Sequence, residues 1–343
     1  MPFDLSKTLV VGISATALFD LSAEDALFRQ QFKKDRVNAM TNYRNAMQEK
    51  ENETLSPGTG YPLVKALLNL NKYQDDGEPP LVEVVVMSRN SPETGLRVLT
   101  SIRQQELGIT RFAFTAGEAV VDYLEAFDVD LFLSTNVEDV QRVIDSRSCA
   151  GAVLTDPPVD ISQMATDQVR IAFDGDAVLF AEDSELVFKT KGLKEFQKVE
   201  DLEQDNPLGE GPYASLLVKL SRLQDRLPGI VELSPVRIAL VTARNSPAEM
   251  RVVKTLRHWG VYIDEAFFLG GVEKTKVLKA FRPHIFFDDQ DVHLEAASKH
   301  VPSGKVPHHS SSELDKQSQA VKDGNTESQQ IAVDDDDHHV STM

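Results

Sequence analysis

The stretch Ile171-Ala-Phe-Asp174-Gly-Asp176-Ala-Val-Leu-Phe180 decides the fold class, because an apolar run ends in two acids and a second apolar run follows. Acidic side chains rarely lie between apolar runs unless they are paired or bind a metal. A buried strand that ends at Asp174 would place both carboxylates at the rim of a sheet. For this stretch alone, a β-turn between two hairpin strands is the alternative interpretation.

Three segments downstream also place polar groups after apolar runs. Val236–Thr242 is typical of a buried strand that ends in a hydroxyl, and residues 284–289 of a strand that ends in two carboxylates. Between them, Lys274 begins a helix shortly after the Gly270-Gly271 pair. The carboxyl ends of parallel strands lie on one edge of a sheet, so these groups are expected to converge. The pattern predicts an α/β fold with a Rossmann-like parallel sheet.

The order Asp-x-Asp, Thr, Lys, Asp-Asp resembles the four motifs of the haloacid dehalogenase superfamily of phosphohydrolases. Five stretches also resemble the cytosolic type I 5'-nucleotidase family, namely residues 14–20, 56–66, 171–180, 240–244 and 282–290. The resemblance covers residues 8 to 302. It implies a Mg²⁺-dependent enzyme that hydrolyses nucleoside 5'-monophosphates, AMP or IMP, to nucleoside and phosphate.

The resemblance also implies catalytic and metal-binding roles for the acidic motif residues. Asp174 is expected to attack phosphorus and form an aspartyl-phosphate, while Asp176 protonates the leaving oxygen and later activates water. Mg²⁺ is expected on the Asp174 carboxylate, the Asp176 carbonyl oxygen and the pair Asp288 and Asp289. The motif leaves open which of Asp288 and Asp289 binds the metal directly and which orients Lys274 or a water.

Substrate-binding roles are implied for the hydroxyl and lysine motifs. The Thr242 hydroxyl and the Ala243 amide are expected to bind phosphoryl oxygens, and Lys274 to offset charge in the transition state. Each has an alternative. Thr242 could cap the following helix, Lys276 could take the place of Lys274, and Arg244 could contact phosphate or form a surface salt bridge.

The N-terminal half repeats the pattern of the second half without its acids. Residues 14–19 parallel 174–179, and residues 87–92 parallel 242–247 with Arg-Asn-Ser-Pro identical in both. In the first copy the motif positions hold Ser14, Thr16, Met87, Val120, Ser134 and Thr135. We therefore predict two lobes from an internal duplication, with residues 1–150 as a degenerate, non-catalytic lobe. Generic alternation of strands and helices is the alternative.

Residues 151–302 are predicted to form the catalytic domain, with a small cap insertion at about 185–233, because the segment before Thr242 is longer than a crossover needs. A cap excludes water and contacts the substrate beyond its phosphate. Within this region, residues 177–190 are interpreted as a hairpin, and 192–199 and 212–226 as helices. In the first lobe, residues 24–50 are interpreted as helical.

Residues 303–343 are predicted to form a disordered acidic tail, because serine, glutamine and the run at 334–339 dominate its composition. That run of four Asp and two His could also hold a metal weakly. We expect a solvated tail and assign no catalytic role to its histidines.

Charge restricts the partners of this chain of 343 residues. Lys plus Arg number 36 against 54 Asp plus Glu, which gives a formal net charge of −18. No basic stripe is available to neutralise many phosphates, so no nucleic-acid polymer is expected as a partner. A single mononucleotide remains compatible, because one metal ion and a few local cations can hold one phosphate.

Cysteine use and hydropathy indicate a cytoplasmic protein. Cys149 is the sole cysteine, so no disulfide can form within the chain. No apolar segment has the length of a membrane span, so no membrane partner is expected. A nucleotide effector and a homo-oligomer are hypotheses at this point.

Two other functions fit the same motifs. One is a phosphatase of the haloacid dehalogenase type that acts on another small phosphomonoester, such as a sugar phosphate. The other is a nucleotide-sensing or scaffolding protein, which the acid-free first half makes plausible and the intact second-half motifs disfavour.

Overall fold

The computed structural model describes residues 5–158, 164–165, 167–228 and 234–316. The chain divides into two units, Met1–Pro307 and His308–Met343. In the described part of the second unit, residues 308–316, the Ser312 amide donates to the His309 carbonyl oxygen at 2.8 Å. The predicted end of the cap at 229–233 and the tail from residue 317 onward, including 334–339, lie outside the described residues.

Strands and helices alternate in the first half of the chain. Its strands are β1 (Leu9–Ile13), β2 (Val82–Ser88), β3 (Arg111–Phe114), β4 (Leu131–Ser134) and β5 (Ala150–Leu154). Its helices are α1 (Ala15–Leu18), α2 (Ser22–Lys34), α3 (Ala39–Glu49), α4 (Tyr61–Asn69), α5 (Leu96–Gln104) and α6 (Val137–Ser146), with 3₁₀ turns at Leu70–Tyr73, Val120–Tyr123 and Glu125–Phe127. Every residue of β1 and β4 is buried, as expected for parallel strands covered on both faces.

The second half alternates in the same way. Its strands are β6 (Val169–Phe173), β7 (Val236–Thr242), β8 (Glu265–Phe268), β9 (Ile285–Asp288) and β10 (Ser303–Lys305). Its helices are α7 (Asp183–Lys191), α8 (Leu193–Leu202), α9 (Ala214–Gln224), α10 (Ala248–His258), α11 (Lys274–Phe281) and α12 (Asp291–Ala297). Within the described residues, none of the helices is both long enough and apolar enough to cross a membrane.

The strands of the described residues form one continuous sheet of ten strands in the order β3-β2-β1-β4-β5-β10-β9-β6-β7-β8. Counted from the outermost strand inward, the order is β3-β2-β1-β4-β5 in the first half and β8-β7-β6-β9-β10 in the second, so the second half repeats the order of the first. Adjacent strands are parallel except β5 and β10, which are antiparallel with Gly304 opposite Leu154. The predicted α/β class with a mostly parallel central sheet is therefore confirmed.

Backbone hydrogen bonds at the end of the first strand match between the halves. The Ser14 amide donates to the Leu133 carbonyl oxygen at 2.8 Å, and the Asp174 amide donates to the Phe287 carbonyl oxygen at 2.8 Å. In both halves the residue after the first strand is thereby fixed against the fourth strand. Ser14 and Asp174 thus occupy equivalent backbone positions.

The second strand corrects one detail of the sequence comparison. The Asn90 amide donates to Ser88 Oγ at 3.2 Å, and the Arg244 amide donates to Thr242 Oγ1 at 3.2 Å. Ser88 and Thr242 are also the last residues of β2 and β7. Ser88, not Met87, is therefore the counterpart of Thr242. The identical Arg-Asn-Ser-Pro run begins one residue after Ser88 but two residues after Thr242, so an alignment on this run pairs Thr242 with the wrong residue. The first half keeps a hydroxyl at this position.

One apolar core covers a face of the sheet across both halves, whereas the opposite face carries a separate core in each half. Helix α4 contacts both β2 and β6, and α9 contacts β1, so each half packs a helix on a strand of the other. In this shared core the ring centroids of Phe173 and Phe287 lie 5.5 Å apart, and those of Tyr213 and Phe287 lie 4.9 Å apart. The two halves are therefore held together by side-chain packing as well as by the sheet.

The helical segment predicted at 24–50 consists of two helices, α2 and α3, separated at residues 35–38. The Asp35 carboxylate accepts the amides of Val37 and Asn38 at 3.1 Å and 3.2 Å. A side chain that binds nearby amides in this way competes with the helical hydrogen bonds and ends α2.

The hairpin predicted at 177–190 is wrong, because α7 begins at Asp183. Glu185 and Lys189 form an ion pair of 2.7 Å on consecutive turns of α7, a spacing that stabilises helices.

The sequence predicts an acidic tail from residue 303, whereas Ser303–Lys305 form β10 between β5 and β9. A polar strand of three residues has no hydrophobic periodicity, so the sequence offers no signal for it.

Candidate active site

The carboxyl ends of β6, β7 and β9 bring together residues that are distant in the chain. β6 pairs in parallel with β7 on one side and β9 on the other, so the three strands end at the same edge. Asp174 directly follows β6, Thr242 ends β7 and Asp288 ends β9. The fold thus places three of the sequence-predicted residues at adjacent strand ends.

Lys274 is buried between two of the carboxylates. Its Nζ lies 2.8 Å from Asp174 Oδ1 and 2.6 Å from Asp288 Oδ2, whereas Lys276 is exposed. Burial alone lowers the pKa of Lys274, but the Asp174 and Asp288 carboxylates outweigh it, so the net shift of this pKa is upward. The structure therefore places Lys274, rather than Lys276, in the site as a cation.

Asp174, Asp288 and Asp289 form a compact, buried cluster in which one oxygen of each lies within 4.8 Å of the others. Burial raises the pKa of Asp174 to about 6, with Asp288 adding to the rise and Lys274 opposing it. Burial also raises the pKa values of Asp288 and Asp289. Three carboxylates beside one lysine leave excess negative charge, and carboxylate oxygens are the ligands that Mg²⁺ prefers. The residues present therefore fit a divalent cation.

Thr242 lies against the loop that carries Asp174 and Asp176. A Cβ atom on Gly175 would approach Thr242 Oγ1 to 3.2 Å, so glycine permits the close passage of this loop. Helix α10 begins later in the chain with Pro247 at its N-cap, so Thr242 does not cap that helix. Ala243, the second residue predicted to bind phosphate, follows β7 and is exposed.

The side chain of Asp176 lies outside the acidic cluster and pairs with Arg244. Arg244 Nε donates to Asp176 Oδ2 at 2.8 Å, and Nη2 donates to Oδ1 at 2.5 Å, which is a bidentate pair. Only 4% of Arg244 is exposed. Burial alone lowers the pKa of Arg244, but Asp176 and Glu200 outweigh it and the net shift is upward. Arg244 thus forms a buried ion pair and not the surface salt bridge considered from the sequence.

Two buried glutamates from helices α7 and α8 also reach this region, and no sequence motif predicts them. Glu185 on α7 accepts a hydrogen bond from Gln290 Nε2 at 3.0 Å, next to the acidic cluster. Glu200 on α8 accepts from Arg244 Nη1 at 2.6 Å. Neither residue belongs to a recognisable motif, and acidic residues on helices are commonly solvent-exposed.

The corresponding strand ends of the first half carry hydroxyls instead of acids. Thr16 Oγ1 lies 3.1 Å from Ser14 Oγ and 2.6 Å from Thr135 Oγ1. A cavity of about 580 Å³ opens here, and Arg44 and Arg89 are among its lining residues. A cation site of clustered carboxylates is absent from the described residues of this half.

A parallel α/β sheet with Asp-x-Asp, Thr, Lys and Asp-Asp at its strand ends has the motif order of a haloacid dehalogenase-type phosphohydrolase. Comparisons with known proteins identify the family. The model of a family described as 5'-nucleotidase matches residues 1–313. Human cytosolic 5'-nucleotidase 1B is 36% identical over 299 residues, which are 85% of this chain and 48% of that protein. No solved structure matches. The chain belongs to the 5'-nucleotidase family, as its motifs predicted, and spans about half the length of this curated relative.

Proposed function

We propose that this chain hydrolyses nucleoside 5'-monophosphates, with AMP or IMP preferred, to a nucleoside and inorganic phosphate in a Mg²⁺-dependent reaction. The observation that carries the proposal is the buried Lys274 between Asp174 and Asp288, next to Asp289 and at the ends of adjacent parallel strands. Membership in the 5'-nucleotidase family supports the same reaction and substrate class.

In the proposed reaction, the Asp174 carboxylate attacks phosphorus while the bond from phosphorus to the 5'-oxygen breaks, which gives an aspartyl-phosphate and a nucleoside. Asp176 gives its proton to that oxygen and then takes a proton from the water that attacks the aspartyl-phosphate. Phosphate leaves and the Asp174 carboxylate is restored. The Thr242 hydroxyl and the Ala243 amide bind phosphoryl oxygens, and Lys274 offsets the charge that develops on them.

The chemistry that Mg²⁺ supplies when bound is screening of the repulsion between a carboxylate nucleophile and a phosphate. Asp174, Asp289 and the backbone carbonyl of Asp176 are the proposed ligands. Both oxygens of Asp288 already accept hydrogen bonds, Oδ2 from Lys274 and Oδ1 from the Gln290 amide. We therefore assign Asp288 chiefly to orienting Lys274 and Asp289 to direct binding of the metal.

The repeated strand order and the matching hydrogen bonds support an internal duplication. In this proposal the lobe predicted at 1–150 is non-catalytic and extends through β5 to Leu154. The catalytic domain predicted at 151–302 extends through β10 to Lys305, and helices α7 and α8 belong to its cap. Loss of the acids leaves the first lobe unable to hold Mg²⁺ in the same way.

The first-lobe cavity supports the hypothesis of a nucleotide effector. Its volume of about 580 Å³ suits a small molecule, and Arg44 and several hydroxyls in its lining are donors to a phosphate. ADP and ATP titrations are expected to change kcat or KM in the unsubstituted protein and in Arg103→Gln, an exposed control, but less in Arg44→Gln. Kinetics that do not respond to either nucleotide contradict this hypothesis.

The experiment that tests the enzymatic function is phosphate release from AMP, IMP, dAMP, UMP and a sugar phosphate, with Mg²⁺ and with EDTA. Asp174→Asn is expected to lower kcat by roughly 10³-fold or more, because it removes the nucleophile. Asp75→Asn, a change at an exposed aspartate of the first half, is the control and should retain activity. Phosphate release from the sugar phosphate alone contradicts the proposed nucleotide substrate. If none of the five compounds is hydrolysed, the result favours a sensing or scaffolding role.

A further inference from the structure

Glu200 on α8 is fully buried and accepts hydrogen bonds from three side chains. Its Oε1 accepts from Ser184 Oγ at 2.8 Å and from Arg251 Nη1 at 3.0 Å. Its Oε2 accepts from Arg244 Nη1 at 2.6 Å. A buried carboxylate is stable only when it is paired in this way, so the orientation of Glu200 is tightly specified.

Arg244 uses one edge of its guanidinium for Asp176 and the remaining nitrogen for Glu200. The rings of Phe196 and Phe180 lie 5.5 Å and 6.0 Å from the guanidinium carbon and flank the group. Because the guanidinium is planar, fixing Nη1 on Glu200 also fixes the plane in which Nε and Nη2 meet Asp176. The chain Glu200–Arg244–Asp176 thus connects helix α8 with the loop after β6.

We propose that Glu200 is a positioning residue for Asp176 and acts through Arg244. This inference rests on the proposed function, in which Asp176 protonates the leaving oxygen. Glu200 holds Arg244 in one rotamer, and Arg244 in turn holds the Asp176 carboxyl in one orientation at the end of β6. The inserted helices thereby contribute to proton transfer without contacting the reacting atoms.

The leaving group separates positioning from a merely structural role. A nucleoside 5'-oxygen leaves poorly without a proton, so its release depends on a correctly placed Asp176. A p-nitrophenolate ion leaves without protonation, so kcat/KM for p-nitrophenyl phosphate, which covers the steps up to release of this ion, depends little on Asp176. A misplaced acid lowers kcat/KM for the nucleotide selectively, whereas a damaged fold lowers kcat/KM for both substrates.

The test is the steady-state kinetics of Glu200→Gln with AMP and with p-nitrophenyl phosphate. We expect kcat/KM for AMP to fall by about 10- to 100-fold, within the range of a general acid. For p-nitrophenyl phosphate, kcat/KM should change by less than about 3-fold, because release of the nitrophenolate does not need the acid. Asp176→Asn should show the same selectivity with a larger loss. Glu195→Gln, at a partly exposed position of the same helix, should behave as the unsubstituted protein.

Equal losses for both substrates, or no loss for AMP, overturn the proposal. If Glu200→Gln fails to fold, the double variant Glu200→Gln/Arg251→Gln removes one charge of each sign from the cluster and still removes the ionic contact with Arg244. The same selectivity is expected of this variant, and its absence overturns the proposal as well. An unsubstituted protein that hydrolyses no nucleotide contradicts the proposed function instead, which is a distinct result.

Discussion

Ser14 and Asp174 have the same backbone hydrogen bond in their respective halves, yet only Asp174 carries a carboxylate. The backbone of the strand end therefore does not determine the chemistry, which depends on the side chain that the position holds. At the end of the second strand both halves keep a hydroxyl, Ser88 and Thr242. The difference between the halves is thus concentrated in the acids and the lysine, which are the groups that the proposed reaction uses for metal binding and covalent catalysis.

The motif residues could be predicted from the sequence because each directly follows a recognisable apolar strand or begins a helix. Asp174, Thr242 and Lys274 were found in this way. Glu200 could not be found, because its burial depends on Arg244 and Arg251 from a distant part of the chain. A charged residue on a helix gives no local sign that its partners are buried with it.

His284 makes the stability of the protein depend on pH. It is 2% exposed, its Nδ1 accepts the Arg170 amide at 3.0 Å, and its Nε2 lies 2.6 Å from the Ala165 carbonyl oxygen. Burial lowers its pKa below the ordinary value of 6.5. The unfolded chain therefore binds the proton at this histidine more readily, and the contribution of His284 to stability should decrease as the pH falls below 6.5.

Urea unfolding of the unsubstituted protein and of His284→Asn, at pH about 7.5 and about 5.5, measures this contribution. The loss of unfolding free energy on acidification should be smaller in His284→Asn. His300→Gln, a change at an exposed histidine, is the control and should keep the full loss. An unchanged pH dependence in His284→Asn contradicts the expectation.

At the scale of secondary structure, the start of α9 depends on a close approach that only glycine permits. A Cβ atom on Gly211 would lie 2.5 Å from the Val178 carbonyl oxygen and 2.6 Å from that of Phe180. Gly211→Ala should therefore destabilise the protein by about 1–3 kcal/mol, the range of an overpacked site. Chemical denaturation measures the loss. Gly108→Ala, where the added atom meets nothing within 4 Å, should change stability by less than about 0.5 kcal/mol.

The elements themselves were predictable to different degrees. Apolar runs in the sequence predict strands near 8–14, 82–88, 111–115, 130–134 and 151–154, and these correspond to β1 to β5. Helix α7 was missed, since its apolar residues have no helical spacing and its buried Ser184 and Glu185 are polar. Strand β10 was missed because it is stabilised by its neighbours β5 and β9 rather than by its own sequence.

For the whole first unit, the continuous sheet and the shared core predict one cooperative unfolding transition. The single tryptophan, Trp259, packs on Phe180 in the second half, so its fluorescence reports on that half. Far-UV circular dichroism reports on both halves. The two signals should give coincident urea transitions, because α4 and α9 each pack across the halves. Separate midpoints would show that the halves unfold independently.

The antiparallel contact of β5 with β10 has a consequence for colloidal behaviour. Taken alone, the first half would expose the apolar strand β5, and unpaired apolar strands promote aggregation. The union of the two halves leaves β3 and β8 at the outside. Arg111 on β3 pairs with Glu83 on β2 at 2.8 Å, and Glu265 on β8 pairs with Arg237 on β7 at 2.7 Å. The two ion pairs have the same arrangement across their strands, with the acidic and basic residues exchanged. Charged residues at such positions discourage self-association. Pairing of β5 with β10 therefore covers the aggregation-prone strand β5 and leaves charged residues on β3 and β8, the two strands at the edges of the sheet.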